Sequence, residues 1–197
     1  MVSTATAEET IKAIVRAIPS IDESVQPIID VVAAPVYLTD SEGVVTHFNK
    51  ACVEYAGRHP EAGRDRWCVT WKLYTLSGAY LPHESCPMAT AVLRGQPVRG
   101  ISAVAERPDG SRVAFTPFPT PIFRGGQLAG AVNILVDITA AWQTDRLRKQ
   151  ADRCRRLALT VTDAAITKNL KEMADGYEAD ARELENSRHG GGRPVSE

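Results

Sequence analysis

Asp40-Ser41-Glu42-Gly43-Val44-Val45-Thr46-His47-Phe48-Asn49-Lys50-Ala51 carries three structural signals in close succession. Asp40 to Gly43 is turn chemistry: a carboxylate able to accept from nearby backbone amides, then a glycine free to take positive φ. Val44 to Phe48 is built of strand-forming residues, as is Val36-Tyr37-Leu38 upstream, so the two are expected to pair as a hairpin. Asn49 is a good helix cap, and Ala51, Val53 and Tyr55 behind it predict a short helix.

Downstream, Gly57 to Arg66 reads as loop. Trp67 to Leu73 is apolar and rich in β-formers, which leaves its class open. Pro87 to Leu93 is expected as a helix, with Pro at its first position and Gly95 just past its end. Val98 to Glu106, Arg112 to Phe118 and Leu128 to Val136 read as strands. Pro108-Asp109-Gly110 and Arg124-Gly125-Gly126 supply the turns between them. A hairpin, several short helices and three antiparallel strands describe an α+β domain with one curved, five-stranded antiparallel sheet.

Helical segments flank this domain. Ile11, Ile14, Val15 and Ile18 share one face of a first helix, with Glu8 and Glu9 near its positive end. Pro19 and Ser20 interrupt it, and Val25, Ile28, Ile29 and Val32 mark a second stripe. These two pieces are expected as a lid or a dimerisation element. On the other side, Thr139 is expected to cap a long helix with the seam Leu147, Ala151, Cys154, Ala158 and Val161. Thr162-Asp163 breaks it and starts another, with the seam Ile166, Leu170, Met173, Tyr177, Ala181 and Leu184. Basic residues (Arg146, Arg148, Lys149, Arg153, Arg155, Arg156) crowd the first of these helices, and acidic ones (Glu172, Asp175, Glu178, Asp180, Glu183, Glu185) the second. Antiparallel pairing, as a hairpin within one chain or a coiled coil between two, brings the signs together. The expected organisation is residues 1–34 as flanking helices, 35–139 as the central domain, 140–185 as C-terminal helices and 186–197 as a disordered tail.

The 197 residues carry 23 Lys and Arg against 24 Asp and Glu, a balance that does not suggest a polyanion binder, so nucleic acid is not an expected partner. The longest apolar stretch, Ile28 to Leu38, is interrupted by Asp30 and Pro35 and is too short to span a bilayer. The N-terminus shows no secretory pattern. Four unevenly spaced cysteines make no disulfide framework, and the expected compartment is the cytoplasm. No phosphate-binding loop, nucleophile elbow or paired metal-binding carboxylate motif is present, and His83-Glu84 has neither the spacing nor the companions of a phosphoacceptor box. The chain does not read as an enzyme.

About half of the chain, residues 35–139, resembles a PAS sensory domain. Asp40, Gly43, Val45, Asn49 and Ala51 match the family's D-x-x-G-x-[IV]-x-x-x-N-x-A run. Arg107-Pro108-Asp109-Gly110, then Pro121, Gly126 and Gly130, lead to Asp137-Ile138-Thr139, the family's usual exit from its last strand into a signalling helix. The C-terminal helices also look like a small Ala/Arg-rich module of alphaproteobacterial proteins. The resemblance implies a bacterial signal-transduction protein that binds a small ligand or an effector protein in its PAS domain. Asp137 and Thr139 would relay its state to the C-terminal helices, within a homodimer. A constitutive dimeric scaffold without ligand is the alternative, and a haem or metal sensor a further one.

Tyr55, Trp67, Trp71, His83 and Phe115 are the candidate ligand-binding residues, as aromatic and rim groups able to line an apolar pocket. For haem or a soft metal, the candidates are Cys68, His83 and Cys86, the last in a Cys-Pro pair. The flavin-binding run of LOV domains, G-x-N-C-R-F-x-Q, is absent, and Asn49-Lys50-Ala51-Cys52 is no substitute, so flavin is not expected. The ligand itself stays unnamed.

Overall fold

A computed structural model describes residues 3–18 and 21–190, which form two compact units, Met1–Asp137 and Ile138–Glu197. The Pro19-Ser20 interruption and the expected tail beyond residue 190 lie outside the described residues. In the first unit, helices α1 (Thr4–Ala17) and α2 (Gln26–Asp30) precede the hairpin of β1 (Val36–Asp40) and β2 (Val45–Phe48). Helix α3 (Lys50–Ala56), strand β3 (Lys72–Thr75) and helix α4 (Pro87–Arg94) follow. Strands β4 (Ala103–Glu106), β5 (Arg112–Pro117), β6 (Thr120–Arg124) and β7 (Gln127–Asp137) close the unit.

The turn at residues 40–43 forms as its chemistry dictates. Asp40 Oδ1 accepts from the amides of Glu42 and Val44, both at 2.9 Å, and Gly43 takes φ +83°. Pro87 and Gly95 likewise bound α4, with Gly95 left-handed at φ +61°.

The sheet has seven strands, not five, in the order β2-β1-β7-β5-β4-β3, with β6 also on β7. Two segments account for the difference. Residues 72–75, in the stretch of open class, add β3 to the β4 edge, with Leu73 opposite Ala105. The expected strand ending at Phe118 does not stop. It breaks at Pro119 and resumes as β6, so β5 pairs with the end of β7 (Thr116 opposite Val136) and β6 with its beginning (Thr120 opposite Val132). The Phe118 amide still donates to Ile134 O at 3.0 Å across the break, so β5 and β6 keep one register on β7. Strand β4 starts only at Ala103, later than the expected Val98.

Both faces of the sheet are covered, and strand alternation sorts the side chains. Tyr37, Ala131 and Leu135 point to the face under α3 and α4, with Cys52, Cys68, Cys86, Met88 and Phe115. Val36, Leu38, Val132, Ile134 and Val136 point to the opposite face, where Ile11, Ile14, Ile18 and Ile29 of the N-terminal segment bury them. The N-terminal helices are therefore the second wall of this core.

A polar clamp fixes α1 to the sheet. Glu8 accepts from Arg99 Nε at 2.7 Å, and Arg99 also donates to Pro119 O and Thr120 Oγ1 at 2.9 and 2.8 Å. The hydrogen bond from Arg99 lowers the Glu8 carboxyl below its ordinary value of 4.5. This contribution to stability is complete above the unfolded value and is lost as pH falls through the folded one. Because the pair is partly exposed, the effect stays below about 1 kcal/mol. Glu8→Gln is expected to unfold at lower denaturant than the parent at pH 7. The gap should narrow as pH falls through the folded-state value of Glu8, where the parent's side chain becomes neutral too.

The second unit is a helical hairpin within one chain. Helix α5 (Thr139–Ala158) and helix α6 (Ala164–Gly190) run antiparallel, as the opposed charges require. Arg148 pairs with Glu185 at 2.8 Å and with Glu178 at 4.0 Å, and Arg155 pairs with Glu178 at 3.5 Å. Asp163 Oδ1 caps α6 by accepting from Ala165 and Ile166 amides at 2.8 and 3.0 Å. Ala151, Cys154, Ala174 and Tyr177 form the seam, so Ala174 takes the place expected for Met173. Helix α6 continues through residues 186–190, where the sequence predicts the start of the tail. Among the described residues, no helix is long and apolar enough to cross a membrane.

Candidate functional site

The aromatic and sulfur-bearing residues singled out from sequence divide into a buried group and a surface group. Tyr55 and Phe115 meet edge to face, ring centroids 6.1 Å apart, inside the core under α3 and α4. Tyr55 Oη donates to Ala114 O at 3.0 Å. Trp67 packs against the same core from its edge. Its backbone is left-handed, φ +67°, and its ring lies where a side chain at Gly43 would go, which couples that loop to the first hairpin. Trp71 does not join them. It is 44% exposed, with Lys72 Nζ 4.0 Å from its ring centroid, and it lies just before β3, whose ladder begins at Lys72 and carries Leu73 into the core.

A polar thread crosses this core. The Phe118 amide donates to Asn133 Oδ1 at 2.8 Å, Asn133 Nδ2 to Tyr37 Oη at 3.0 Å, and Tyr37 Oη to Trp67 O at 3.0 Å. It links the β5–β6 break, the middle of β7, β1 and the Trp67 loop. Burial pushes the Tyr37 phenol well above its usual range, so it stays a neutral donor. Nothing in the sequence marked Tyr37 or Asn133, since each reads as an ordinary strand residue. A lone Asn inside the apolar run Gly130–Val136 was the available signal.

The three cysteines of this core face protein partners. Cys52 Sγ donates to Val36 O at 3.1 Å, Cys68 Sγ contacts Thr70 Oγ1 at 3.1 Å, and Cys86 Sγ caps α4 by accepting from the Ala89 amide at 3.5 Å. Burial raises all three thiols, Cys86 to about 12. His83 sits half-buried in a short 3₁₀ turn, His83–Ser85, and burial lowers its pKa against the pull of Glu84 and Asp65. Among the described residues, no three His, Cys, Asp or Glu side chains are placed to hold a metal ion. Cys68, His83 and Cys86 are thus not assembled as a ligand set.

An open concavity lies elsewhere in this unit. A cleft of about 380 Å³ is bounded by Ala33, Ala34 and Pro35 before β1, by Ala51, Glu54 and Tyr55 of α3, by Arg107, and by Leu135, Val136 and Asp137 ending β7. Tyr55 is the one candidate ligand residue on its wall. Arg107 Nε donates to Tyr55 O at 2.8 Å, which holds the guanidinium against that wall. The cleft presents both charge signs above an apolar floor, the composition of a small-molecule site. Asp137, expected as a relay residue, lines it.

No family model matches the chain, and no curated protein does. Among solved structures, the Rhodobacter sphaeroides LOV protein shares 13% identity, covering 93% of this chain and 99% of that one, at a TM-score of 0.39. The LOV domain of a blue-light-activated histidine kinase from Erythrobacter litoralis shares 17% identity over 55% of this chain and 98% of that one (TM-score 0.42). A PAS domain from Colwellia psychrerythraea shares 20% over 57% and 92% (TM-score 0.38). The decisive arrangement is the chain's own. Its first hairpin lies beside its last strand in one antiparallel sheet, with the helices between them over one face, and the Asp40–Ala51 run forms the turn, strand and cap that its residues imply. The fold is PAS-like. In this PAS-like unit the last strand ends at Asp137, and α5 begins at Thr139. The expected Thr139 cap is not formed: the capping position is Ile138, which offers no side-chain bond.

Proposed function

We propose that this chain is a sensory, non-catalytic protein. Its PAS-like unit takes a small ligand in the cleft beside the end of β7, and its C-terminal helices pass on the occupied state. The observation that carries this reading is the cleft's wall: three of its residues, Leu135 to Asp137, are the last of the strand that continues into α5. A ligand seated there touches the segment whose position the helices inherit. Signalling then requires only that it bind one arrangement of that segment more tightly than another. Glu54, Arg107 and Asp137 favour a compact ligand carrying both charge signs over a purely apolar one. A second reading, a constitutive scaffold, is favoured by the packing of Tyr37, Cys52, Met88 and Phe115 against one another in the core.

Native mass spectrometry of gently purified protein separates the two. Under the sensory reading a small molecule is retained, and Ala33→Trp, which fills the cleft from its exposed rim, reduces retention at least about tenfold, the equivalent of about 1.4 kcal/mol. Protein without a bound molecule, or equal retention in the variant, supports the scaffold. The absorption spectrum of the same sample reports whether a retained molecule is a haem or a flavin.

A further inference from the structure

The C-terminal hairpin has two unlike broad faces, and we infer that the one opposite its ion pairs is a self-association surface, taking the same face of a second copy of this chain side by side and in parallel. This does not rest on the ligand reading. Residues on a helix advance by 100°, so neighbours three or four positions from a seam residue fall on its flanks. In α5 the seam is Ala151 and Cys154, and Arg148 and Arg155 occupy one flank. Leu157 and Gln150 occupy the other. In α6 the seam is Ala174 and Tyr177; Glu178 and Glu185 share the flank that meets those arginines, which leaves Ile166 and Met173 on the opposite one. One broad face therefore carries ion pairs between the two helices. The other exposes Leu157, Ile166 and Met173 at 45%, 50% and 50%, clustered toward the turn that joins the helices.

The charges on this second face select both the occupant and its orientation. Arg146 and Arg153 lie along the outer edge of its α5 side, and Asp180 on its α6 side, all exposed. The register set by Arg148–Glu185 and Arg155–Glu178 puts Arg153 at the level of Asp180. A two-fold axis parallel to the helices lays α5 of one copy on α6 of the other. Arg153 then meets the second copy's Asp180, and the apolar ends cover each other. Antiparallel two-fold docking would instead lay α5 on α5 and set the arginines of one copy against those of the other. Only the parallel arrangement satisfies apolar and charged groups together.

Sedimentation equilibrium of the full chain tests this. The parent is expected at twice its 21.4 kDa chain mass. Leu157→Glu and Met173→Glu, each acting twice in a symmetric pair, should weaken association by about a hundredfold with helix content unchanged. Leu159, more exposed at 85% but off this face, serves as the control, and Leu159→Glu should associate like the parent. Arg153→Glu should weaken the pair, and adding Asp180→Arg should restore it. A parent that sediments at the single-chain mass overturns the inference. So do Leu157→Glu and Met173→Glu variants that remain paired, or a charge exchange that fails to restore association.

Discussion

Asn49→Ala is expected to destabilise the PAS-like unit by about 3–5 kcal/mol, measured as a lowered denaturation midpoint with unchanged slope. The side chain is buried, and five backbone groups depend on it. Its Oδ1 accepts from the amides of Val36 at 3.0 Å and Cys52 at 3.2 Å. Its Nδ2 donates to the carbonyls of Ile29, Val32 and Ala34 at 3.2, 2.9 and 2.8 Å. Alanine removes this partner from all five. The Cys52 amide keeps the carbonyl of residue 49 and the Ile29 carbonyl keeps the Val32 amide, while the Val36 amide and the Val32 and Ala34 carbonyls lose it, at about 1–3 kcal/mol for each group left unsatisfied before relaxation. Asn49→Asp discriminates between roles. A side chain that only caps α3 tolerates aspartate nearly without cost, because Asp and Asn cap equally well. A side chain that must also donate to three carbonyls does not, since a carboxylate turned on three carbonyl oxygens is repelled and has nothing to give. An Asn49→Asp variant as stable as the parent would reduce this residue to its cap.

Asn49 also shows where sequence reading stops. Its cap of α3 was legible because capping is local: the acceptor and the amide lie three residues apart. Its hold on the end of α2 was not, because those carbonyls lie 15 to 20 residues away and one side-chain type serves both tasks. The same division runs through the fold. The turn at Asp40–Gly43, the hairpin and α4 between Pro87 and Gly95 follow from short-range chemistry, and the pairing of α5 with α6 follows from a charge pattern that runs the length of both helices. The break at Pro119 was missed although proline announced it, because a break that preserves pairing partners looks locally like a loop. Of the candidate ligand residues, Tyr55 and Phe115 come together and Trp71 does not: aromatic content shows that a core is available, but not that the ladder of β3 begins only after Trp71. The cleft itself is not legible: Tyr55, Arg107 and Asp137 stand out singly in the sequence, but its wall is assembled from separate segments and nothing local brings them together.

Gly130→Ala is expected to cost more than about 3 kcal/mol, although it adds a single methyl group to a strand. Gly130 lies in β7 between Asp40 of β1 and Ile122 of β6, both paired to it. A Cβ there would stand 2.0 Å from Thr39 O and 2.7 Å from Ile21 Cδ1. The isoleucine tip can move, but the Thr39 carbonyl belongs to the backbone of the neighbouring strand. Relief therefore means separating β1 from β7 or bending β7, and either loses ladder hydrogen bonds on the strand that both faces of the core share. Gly176→Ala is the counterpart. That glycine lies inside α6 with nothing within 4 Å of a Cβ, so alanine removes backbone entropy from the unfolded chain and should stabilise the hairpin by about 0.5–1 kcal/mol. Thermal unfolding of the two variants should shift in opposite directions. If Gly130→Ala is tolerated as well as Gly176→Ala, β1 and β7 are not packed as closely as described, and the contact through which the first hairpin would sense a change in the last strand is lost with it.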